Sequence, residues 1–189
     1  MLIQSMRPSE IYSEIVEDFE KYFPIVLKTC RYNKPAIRKF KTTKGNNLTI
    51  VIGNKYLFYA YFWYETDYGR QIIIVDMLKE GFKQSKGYHL YILSPHFIQR
   101  FQERCMNYTF DAIPKRFMNE LYGGGFIEEK DGFTAIVRSG VCYGVSFDNI
   151  HIFKTFLHID MLSNKQCDKI ENKIHNFIKE YNESEYSRT

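Results

Sequence analysis

The run of short strand-like segments between residues 126 and 159 constrains the fold more than any other feature of the sequence. Each segment is rich in β-branched and aromatic residues, and only two or three turn-forming residues separate it from the next. Connections this short join antiparallel neighbours, because a parallel pair needs a long crossover. The sequence therefore predicts a four-stranded antiparallel meander, with strands Phe126–Glu129, Phe133–Arg138, Val141–Phe147 and Ile150–Ile159.

The first ninety residues predict one helix followed by several strands. Apolar residues keep helical spacing from Ser9 to Phe23, after which Pro24 should kink the helix or start a second one. The stretch Tyr56–Tyr64 carries no charge and seven aromatic residues, which favours a strand buried on both faces over an exposed platform for stacking bases. The predicted strands are Ala36–Thr43 and Leu48–Ile52, which form a hairpin, then Tyr56–Tyr64, Gln71–Met77 and Tyr88–Leu93.

Two further helices are predicted beside the meander. One spans Phe110–Tyr122, with Asp111 as its N-cap, and the other follows a capping box at Ser163–Gln166. We therefore expect an α+β fold of antiparallel sheets with packed helices, ending in a four-stranded meander and a terminal helix. Residues 1–189 form either a single domain or a domain whose residues 1–87 make a separate helix-plus-sheet subdomain.

The composition indicates a cytoplasmic protein. The four cysteines are widely spaced and form no C-x-x-C pair, which is typical of reduced thiols. The N-terminus lacks the apolar stretch of a signal peptide, and no apolar run approaches the ~20 residues that span a bilayer. We expect no membrane association.

The charge distribution is uneven although the net charge is only +4. No acidic residue lies between Glu20 and Glu65, and lysines and arginines are concentrated in that window. Such a segment attracts polyanions, of which nucleic acids are the commonest, although a solvated lysine-rich strand would have the same composition. The candidate nucleic-acid-binding residues are Lys34, Arg38, Lys39, Lys41 and Lys44.

The segment from Ser94 to Arg104 contains the best candidates for catalytic residues. Ser94 is a suitable N-cap, so a helix should start at Pro95 and run to about Met106. Its apolar residues Phe97, Ile98, Phe101 and Cys105 share one side, while His96, Arg100 and Arg104 follow each other at i, i+4 and i+8 along its edge. Arginine forks match phosphate oxygens and histidine titrates near neutral pH, so this edge could hold a phosphate and move a proton.

Other catalytic motifs and metal sites are disfavoured. His151 and His158 lie seven residues apart on one predicted strand, so they point to opposite faces and cannot ligate the same ion. The sequence contains no G-x-S-x-G elbow and no phosphate-binding Gly-Lys-Ser/Thr loop. We expect no metal and no cofactor.

The pattern Ser94-x-His96-x-x-x-Arg100-Phe101-x-x-Arg104 resembles a motif of small bacterial and phage proteins related to toxin-like ribonucleases of the barnase, EndoU and RelE-like assemblage. The resemblance extends from Ser94 to about Leu162. It implies one or two helices before a four-stranded antiparallel sheet and metal-independent cleavage of RNA. His96 would be the general acid or base, and Arg100 and Arg104 would hold the scissile phosphate. The partners would be RNA and an acidic antitoxin-like protein.

Two hypotheses follow from these observations. The first is a toxin-like endoribonuclease of a bacterial toxin or mobile-element system, in which His96 transfers the proton of a 2′-hydroxyl attack. The second is a non-catalytic protein that uses its basic window to bind nucleic acid or an acidic partner.

Overall fold

A computed structural model describes residues 1–29, 36–52, 58–76, 88–105, 109–121 and 125–172. Nine strands and four α-helices occur in these residues. The elements in chain order are α1 (Pro8–Thr29), β1 (Ala36–Lys41), β2 (Asn47–Ile52), β3 (Phe58–Thr66), β4 (Gly69–Asp76), β5 (His89–Leu93), α2 (Pro95–Arg104), α3 (Ile113–Leu121), β6 (Gly125–Glu129), β7 (Gly132–Val137), β8 (Gly140–Phe147), β9 (Ile150–His158) and α4 (164–172).

The described strands form one sheet in the order β1-β2-β3-β4-β5-β9-β8-β7-β6. Consecutive strands from β1 to β5 pair antiparallel, and β7 pairs antiparallel with both β6 and β8. The exception is β5, which pairs with β9 in parallel. The predicted α+β fold with its C-terminal meander and terminal helix is therefore confirmed.

The chain divides into two compact units, which are described separately. The first contains Met1–Gln99 and Val145–Lys154, and the second contains Arg100–Gly144 and Thr155–Thr189. Helix α2 and strands β8 and β9 each contribute to both units.

The core of the first unit lies between α1 and one face of its strands. Ile11, Ile15, Phe19 and Val26 recur at helical spacing, and all four are buried against the sheet. The strands contribute alternate residues to this core, because side chains of a strand point alternately to its two faces. The strand residues of the core are Leu48, Ile50, Ile52, Ala60, Phe62, Tyr64, Ile73, Val75, Leu90, Ile92 and Ile150.

Polar contacts attach α1 to the turn between β1 and β2. The buried Asn46 donates to Glu14 Oε1 at 2.9 Å and to Asp18 Oδ2 at 2.8 Å, and its own Oδ1 accepts the backbone N–H of Leu2 at 2.7 Å. Asp18 is almost completely buried. These hydrogen bonds satisfy polar groups that would otherwise be costly to bury.

Aromatic side chains pack together in the core of the second unit. Phe101 packs edge-on against Phe117, with ring centroids 6.3 Å apart, and against Phe156 at 5.2 Å. Glu120 is also buried, but its carboxylate accepts the backbone N–H of Ser139 at 2.9 Å and pairs with Arg116 at 2.7 Å. A carboxylate with two such partners is tolerated in a protein interior.

Several local predictions are confirmed. Ser94 caps α2, because its Oγ accepts the backbone N–H of Phe97 at 3.2 Å. The predicted inner face of α2 is buried, with Phe97 and Phe101 fully enclosed. Gln166 Oε1 accepts the backbone N–H of Ser163 at 2.9 Å, which is the reciprocal bond of a capping box. Strand β3 is buried on both faces from Tyr59 to Phe62.

Three local predictions need correction. The helix α1 continues through Pro24 to Thr29, so no second helix starts there. Asp111 is not an N-cap, because it lies within a 3-10 turn closed by the Ala112 N–H and the Thr109 carbonyl. The α-helix begins only after this turn, at Ile113. The predicted terminal helix is described only as far as residue 172.

Candidate functional site

The sequence-predicted catalytic residues lie on α2, each in its own environment. His96 is exposed in the first turn. Arg100 is half-buried, and its guanidinium pairs with Glu103 at 3.2 Å, three residues further along the helix. Arg104 is half-buried and donates to the backbone carbonyl of Phe156. Both arginines therefore make intramolecular contacts, and the role of the three residues in catalysis stays a prediction.

The sequence-predicted basic residues lie mostly on β1, which is an edge strand of the sheet. Arg38, Lys39 and Lys41 are exposed. Two of them hydrogen-bond neutral groups: Arg38 Nη1 donates to the carbonyl of Ile37 at 3.2 Å, and Lys41 Nζ donates to Asn47 Oδ1 at 3.3 Å. These two partners carry no charge that would balance Arg38 or Lys41.

Lys44 differs from the β1 residues. Its ammonium group lies 2.7 Å from Glu17 and 3.0 Å from Glu14. Hydrogen bonds from Lys44 to these two carboxylates raise the pKa of its ammonium group, against a small opposing effect of burial. These two carboxylates balance the charge of Lys44, and the ion pairs connect the β1–β2 turn to α1. Lys34 lies outside the described residues.

A row of polar and aromatic side chains continues from β1 across the neighbouring strands. Lys41, Asn47 and Trp63 are paired in register on β1, β2 and β3, so their side chains share one face of the sheet. This face is opposite to the one that packs on α1. Asn47 Nδ2 donates to the Trp63 carbonyl at 3.5 Å, and the guanidinium of Arg70 lies 5.3 Å from the Trp63 ring centroid. The half-buried tryptophan thus lies beside one guanidinium, which also pairs with the Glu65 carboxylate at 2.7 Å.

A second group of functional side chains occurs farther along the same face. Asp76 and His89 are partners between β4 and β5, and Tyr91 and His151 are partners between β5 and β9. Tyr91 donates its hydroxyl hydrogen to Asp76 Oδ2 at 3.0 Å, and its ring centroid lies 5.6 Å from that of His151. Ser146 Oγ lies 2.9 Å from His151 Nδ1.

The two histidines of this group are joined by a nearly linear hydrogen bond. His89 Nδ1 lies 3.2 Å from His151 Nε2, and the planes of the two rings differ by only 8°. The ring centroids are 5.5 Å apart, which is about the nitrogen–nitrogen distance plus the centroid-to-nitrogen distance in each ring. The two nitrogens therefore lie close to the line that joins the ring centroids. A shared proton between coplanar rings has this geometry, whereas two imidazoles that ligate one tetrahedral metal ion would be inclined to each other.

His151 is neutral at physiological pH. Burial lowers the pKa of its imidazole to about 4, and the neighbouring His89 contributes to the decrease. The cause is that an enclosed ring loses the solvation that favours its charged form. A neutral imidazole retains one unprotonated nitrogen, which can accept a proton from a neighbouring group.

This histidine group is not among the sites predicted from the sequence. The contact between Ser146 and His151 could have been anticipated, because the Asp148-Asn149 turn makes them opposite residues of a hairpin. The position of His89 could not, since it depends on the parallel pairing of β5 with β9, which no local pattern indicates.

A cavity of about 530 Å³ is also present in the first unit. It is lined by Arg7, Pro8, Ser9 and Tyr12 at the start of α1 and by residues 147–150 of the β8–β9 hairpin. None of the candidate catalytic or nucleic-acid-binding residues lines it. The residues that line this cavity therefore include none of the α2 candidates, the basic residues of β1 or the histidine group.

Known proteins provide no assignment for these groups. No protein-family model matches the chain, and neither curated proteins nor solved structures include a significant match. Within the described part of the chain, no three His, Cys, Asp or Glu residues are arranged to hold a metal ion. The described helices include none with the length and apolar character needed to cross a membrane.

Proposed function

We propose that this protein binds single-stranded RNA along the partly exposed row of Lys41, Asn47 and Trp63, at one end of the sheet face formed by β1, β2 and β3. The observation that carries the proposal is the row from Lys41 through Asn47 to Trp63, with Arg70 above the tryptophan ring. A strand that follows this row would place phosphates at Lys39 and Lys41 and a base beside Trp63 and Arg70. Cationic contacts with the backbone and stacking of bases on aromatic rings or guanidinium planes are the usual means of binding single strands.

The charge distribution supports this choice over a site on α2. Arg38 and Lys41 of β1 are exposed and hydrogen-bond neutral groups, whereas Arg100 of α2 pairs with the Glu103 carboxylate. A phosphate that approached Arg100 would have to replace its carboxylate partner. An acidic protein partner, such as an antitoxin-like protein, would be attracted to the same β1 surface and would compete with RNA.

Trp63 makes the proposal directly testable because it is the only tryptophan of the chain. Addition of a single-stranded oligonucleotide should quench its fluorescence, and a duplex of the same length should do so less. Lys41→Gln should weaken binding and reduce the salt dependence of the affinity by about 0.7 in log–log slope for the lost phosphate contact. Lys115→Gln, which changes an exposed lysine of α3, is the matched control.

Two results would contradict RNA binding on this face. One is binding without any change in Trp63 fluorescence, since the base should stack beside this ring. The other is an equal loss of affinity in Lys41→Gln and Lys115→Gln, which would indicate a non-specific effect of charge. Arg70→Gln should weaken binding of the single strand by about 1 kcal/mol or more if its guanidinium contributes to stacking.

We retain the endoribonuclease as a second candidate function because His96 is exposed at the start of α2 and accessible to a substrate. In this cytoplasmic toxin-like enzyme, His96 would transfer the proton and the arginines would bind phosphate. The test is incubation of mixed RNA with the protein in a chelator, with His96→Ala as the variant. Cleavage that disappears in His96→Ala would support the enzyme, and binding without cleavage would support the binding protein.

A further inference from the structure

The strongest unassigned arrangement is the hydrogen-bonded chain of Ser146, His151 and His89. All three residues belong to the first unit of the structure. The buried His151 lies between the other two, which are both half-buried, so that Ser146 and His89 retain part of their exposed surface. A serine in contact with a histidine that a third group orients is the arrangement that activates hydroxyl nucleophiles.

We propose that Ser146 is a nucleophile, that His151 is its general base, and that His89 is the positioning residue of His151. The substrates would be carboxylic esters with a good leaving group. This site is independent of the RNA-binding surface proposed above, because it uses other residues and another chemistry.

The proton positions required by this proposal are consistent with the observed contacts. When His151 donates its Nε2 hydrogen to His89 Nδ1, its Nδ1 retains a lone pair. The hydroxyl of Ser146 can then donate to that nitrogen across 2.9 Å. Because the bond between the two imidazoles is nearly linear, His89 holds the orientation of the His151 ring, and a His89 with its hydrogen on Nε2 can accept the His151 Nε2 hydrogen.

The reaction needs only water as co-reactant. Ser146 Oγ would attack the carbonyl carbon while His151 Nδ1 takes the hydroxyl proton, and the C–O bond to the leaving group would break as that proton is transferred to it. Water would then attack the acyl-serine, again losing a proton to His151, and release the acid and free Ser146. Burial lowers the pKa of His151, so its imidazole is in the neutral form at pH 7 and has a lone pair for the hydroxyl proton.

Two features of the surroundings hold His151 in place. The Tyr91 ring packs beside it, and the Tyr91 hydroxyl is itself fixed by its hydrogen bond to Asp76. A general base with restricted motion contributes more to a reaction than a mobile one, because its geometry is already that of the transition state.

The experiment is to treat the full chain with a fluorescent fluorophosphonate probe at pH 7.5 and to locate the label by peptide mass spectrometry. We expect a single modified serine, Ser146. Labelling should disappear in Ser146→Ala and remain unchanged in Ser13→Ala, which alters an exposed serine of α1. In His151→Gln the labelling rate should fall by about 100-fold, the usual contribution of a general base.

His89→Gln is the second variant, needed if His151→Gln does not fold, because His89 is half-buried and less critical for packing than the buried His151. Circular dichroism would confirm that each variant is folded, and we expect His89→Gln to react more slowly than the wild type but faster than His151→Gln. If His151→Gln does not fold, the slower labelling of His89→Gln decides the question. No label on Ser146 in the wild type, or an equal labelling rate in wild type and the folded histidine variants, would overturn the proposal and leave a purely structural hydrogen bond.

Discussion

The two faces of the sheet in the first unit differ sharply in chemistry although the same strands form both. The face toward α1 is almost entirely aliphatic or phenylalanine, as Phe62, Ile73 and Ile92 illustrate. The opposite face carries tyrosines, a tryptophan, an aspartate and two histidines on the residues in between. Both faces bury apolar residues, since Ile72, Ile74 and Leu93 are enclosed on the second face, but the proposed RNA-binding and nucleophile sites both depend on that second face.

This difference shows that a strand buried on both faces can contribute apolar packing on one face and polar contacts on the other. Tyr61 and Phe62 are neighbours in the chain, and both are buried. Phe62 belongs to the apolar cluster with α1, while Tyr61 lies in register with Ile74 and, one strand farther, Tyr91. Polar groups on the second face need hydrogen-bonding partners when they are enclosed. The resulting hydrogen-bonded groups can take part in proton transfer, which the side chains of the apolar face cannot.

The largest expected effect tests the apolar face. Phe62→Ala should lower the free energy of unfolding by about 3 to 5 kcal/mol, because it removes a fully buried ring and leaves a cavity. Urea denaturation would measure the change. Tyr68→Ala, at a side chain that is 83% exposed, is the control and should have almost no effect. A loss below 1 kcal/mol for Phe62→Ala would mean that this face is not the main apolar core.

Acid should destabilise the opposite face first. The pKa of His151 is about 4 in the folded protein and near 6.5 in the unfolded chain, so the unfolded state takes up the proton earlier as the pH falls. Stability should therefore decrease from about pH 6.5 to pH 4, by roughly 3 kcal/mol in total. Denaturation curves across this range would measure it, and His151→Gln should remove the decrease.

Glu14 provides the matching control on the α1 side. Burial alone would raise its pKa, but hydrogen bonds from the N-terminal amine, Asn46 and Lys44 outweigh that effect and lower the pKa to about 2. The stabilisation is present above the unfolded pKa near 4.5 and disappears as the pH falls toward 2. Glu14→Gln should flatten only this lower range. A single acid transition shared by both variants would show that the two faces do not titrate separately.

A smaller effect is expected from the polar junction between α1 and the β1–β2 turn. Asn46→Ala should cost about 2 kcal/mol, since it removes the donor shared by Glu14 and Asp18 and the acceptor of the Leu2 N–H. Thermal unfolding would detect the change. Asn119→Ala, at an exposed position of α3, should be nearly neutral, and equal effects in both variants would contradict a special role for this junction.

The smallest effect concerns the hydroxyl of Tyr91. Tyr91→Phe keeps the ring beside His151 but removes the hydrogen bond to Asp76, so we expect a loss of about 1 kcal/mol. The same substitution at the exposed Tyr68 should change nothing. If Tyr91→Phe were as costly as Phe62→Ala, the second face would contribute to stability as much as the first.

Parts of the candidate sites could be predicted from the sequence because they depend on local spacing. The basic character of β1 follows from the absence of acidic residues around Lys39 and Lys41, and both residues are exposed as a solvated strand requires. The fate of Lys44 could not be predicted in this way. Its carboxylate partners Glu14 and Glu17 lie about thirty residues earlier, outside the acid-free window.

The sequence by itself determined the local elements: the hairpins and the meander, the Ser94 cap, the Ser163–Gln166 capping box and the buried side of α2. Turn chemistry, capping and periodicity act within a few residues, so they can be recognised in a single chain. Only the tertiary structure decided that β5 lies parallel to β9, which brings His89 to His151 across 62 positions of the sequence. The pairing of distant strands depends on the packing of the whole sheet, and no short segment of the sequence encodes it.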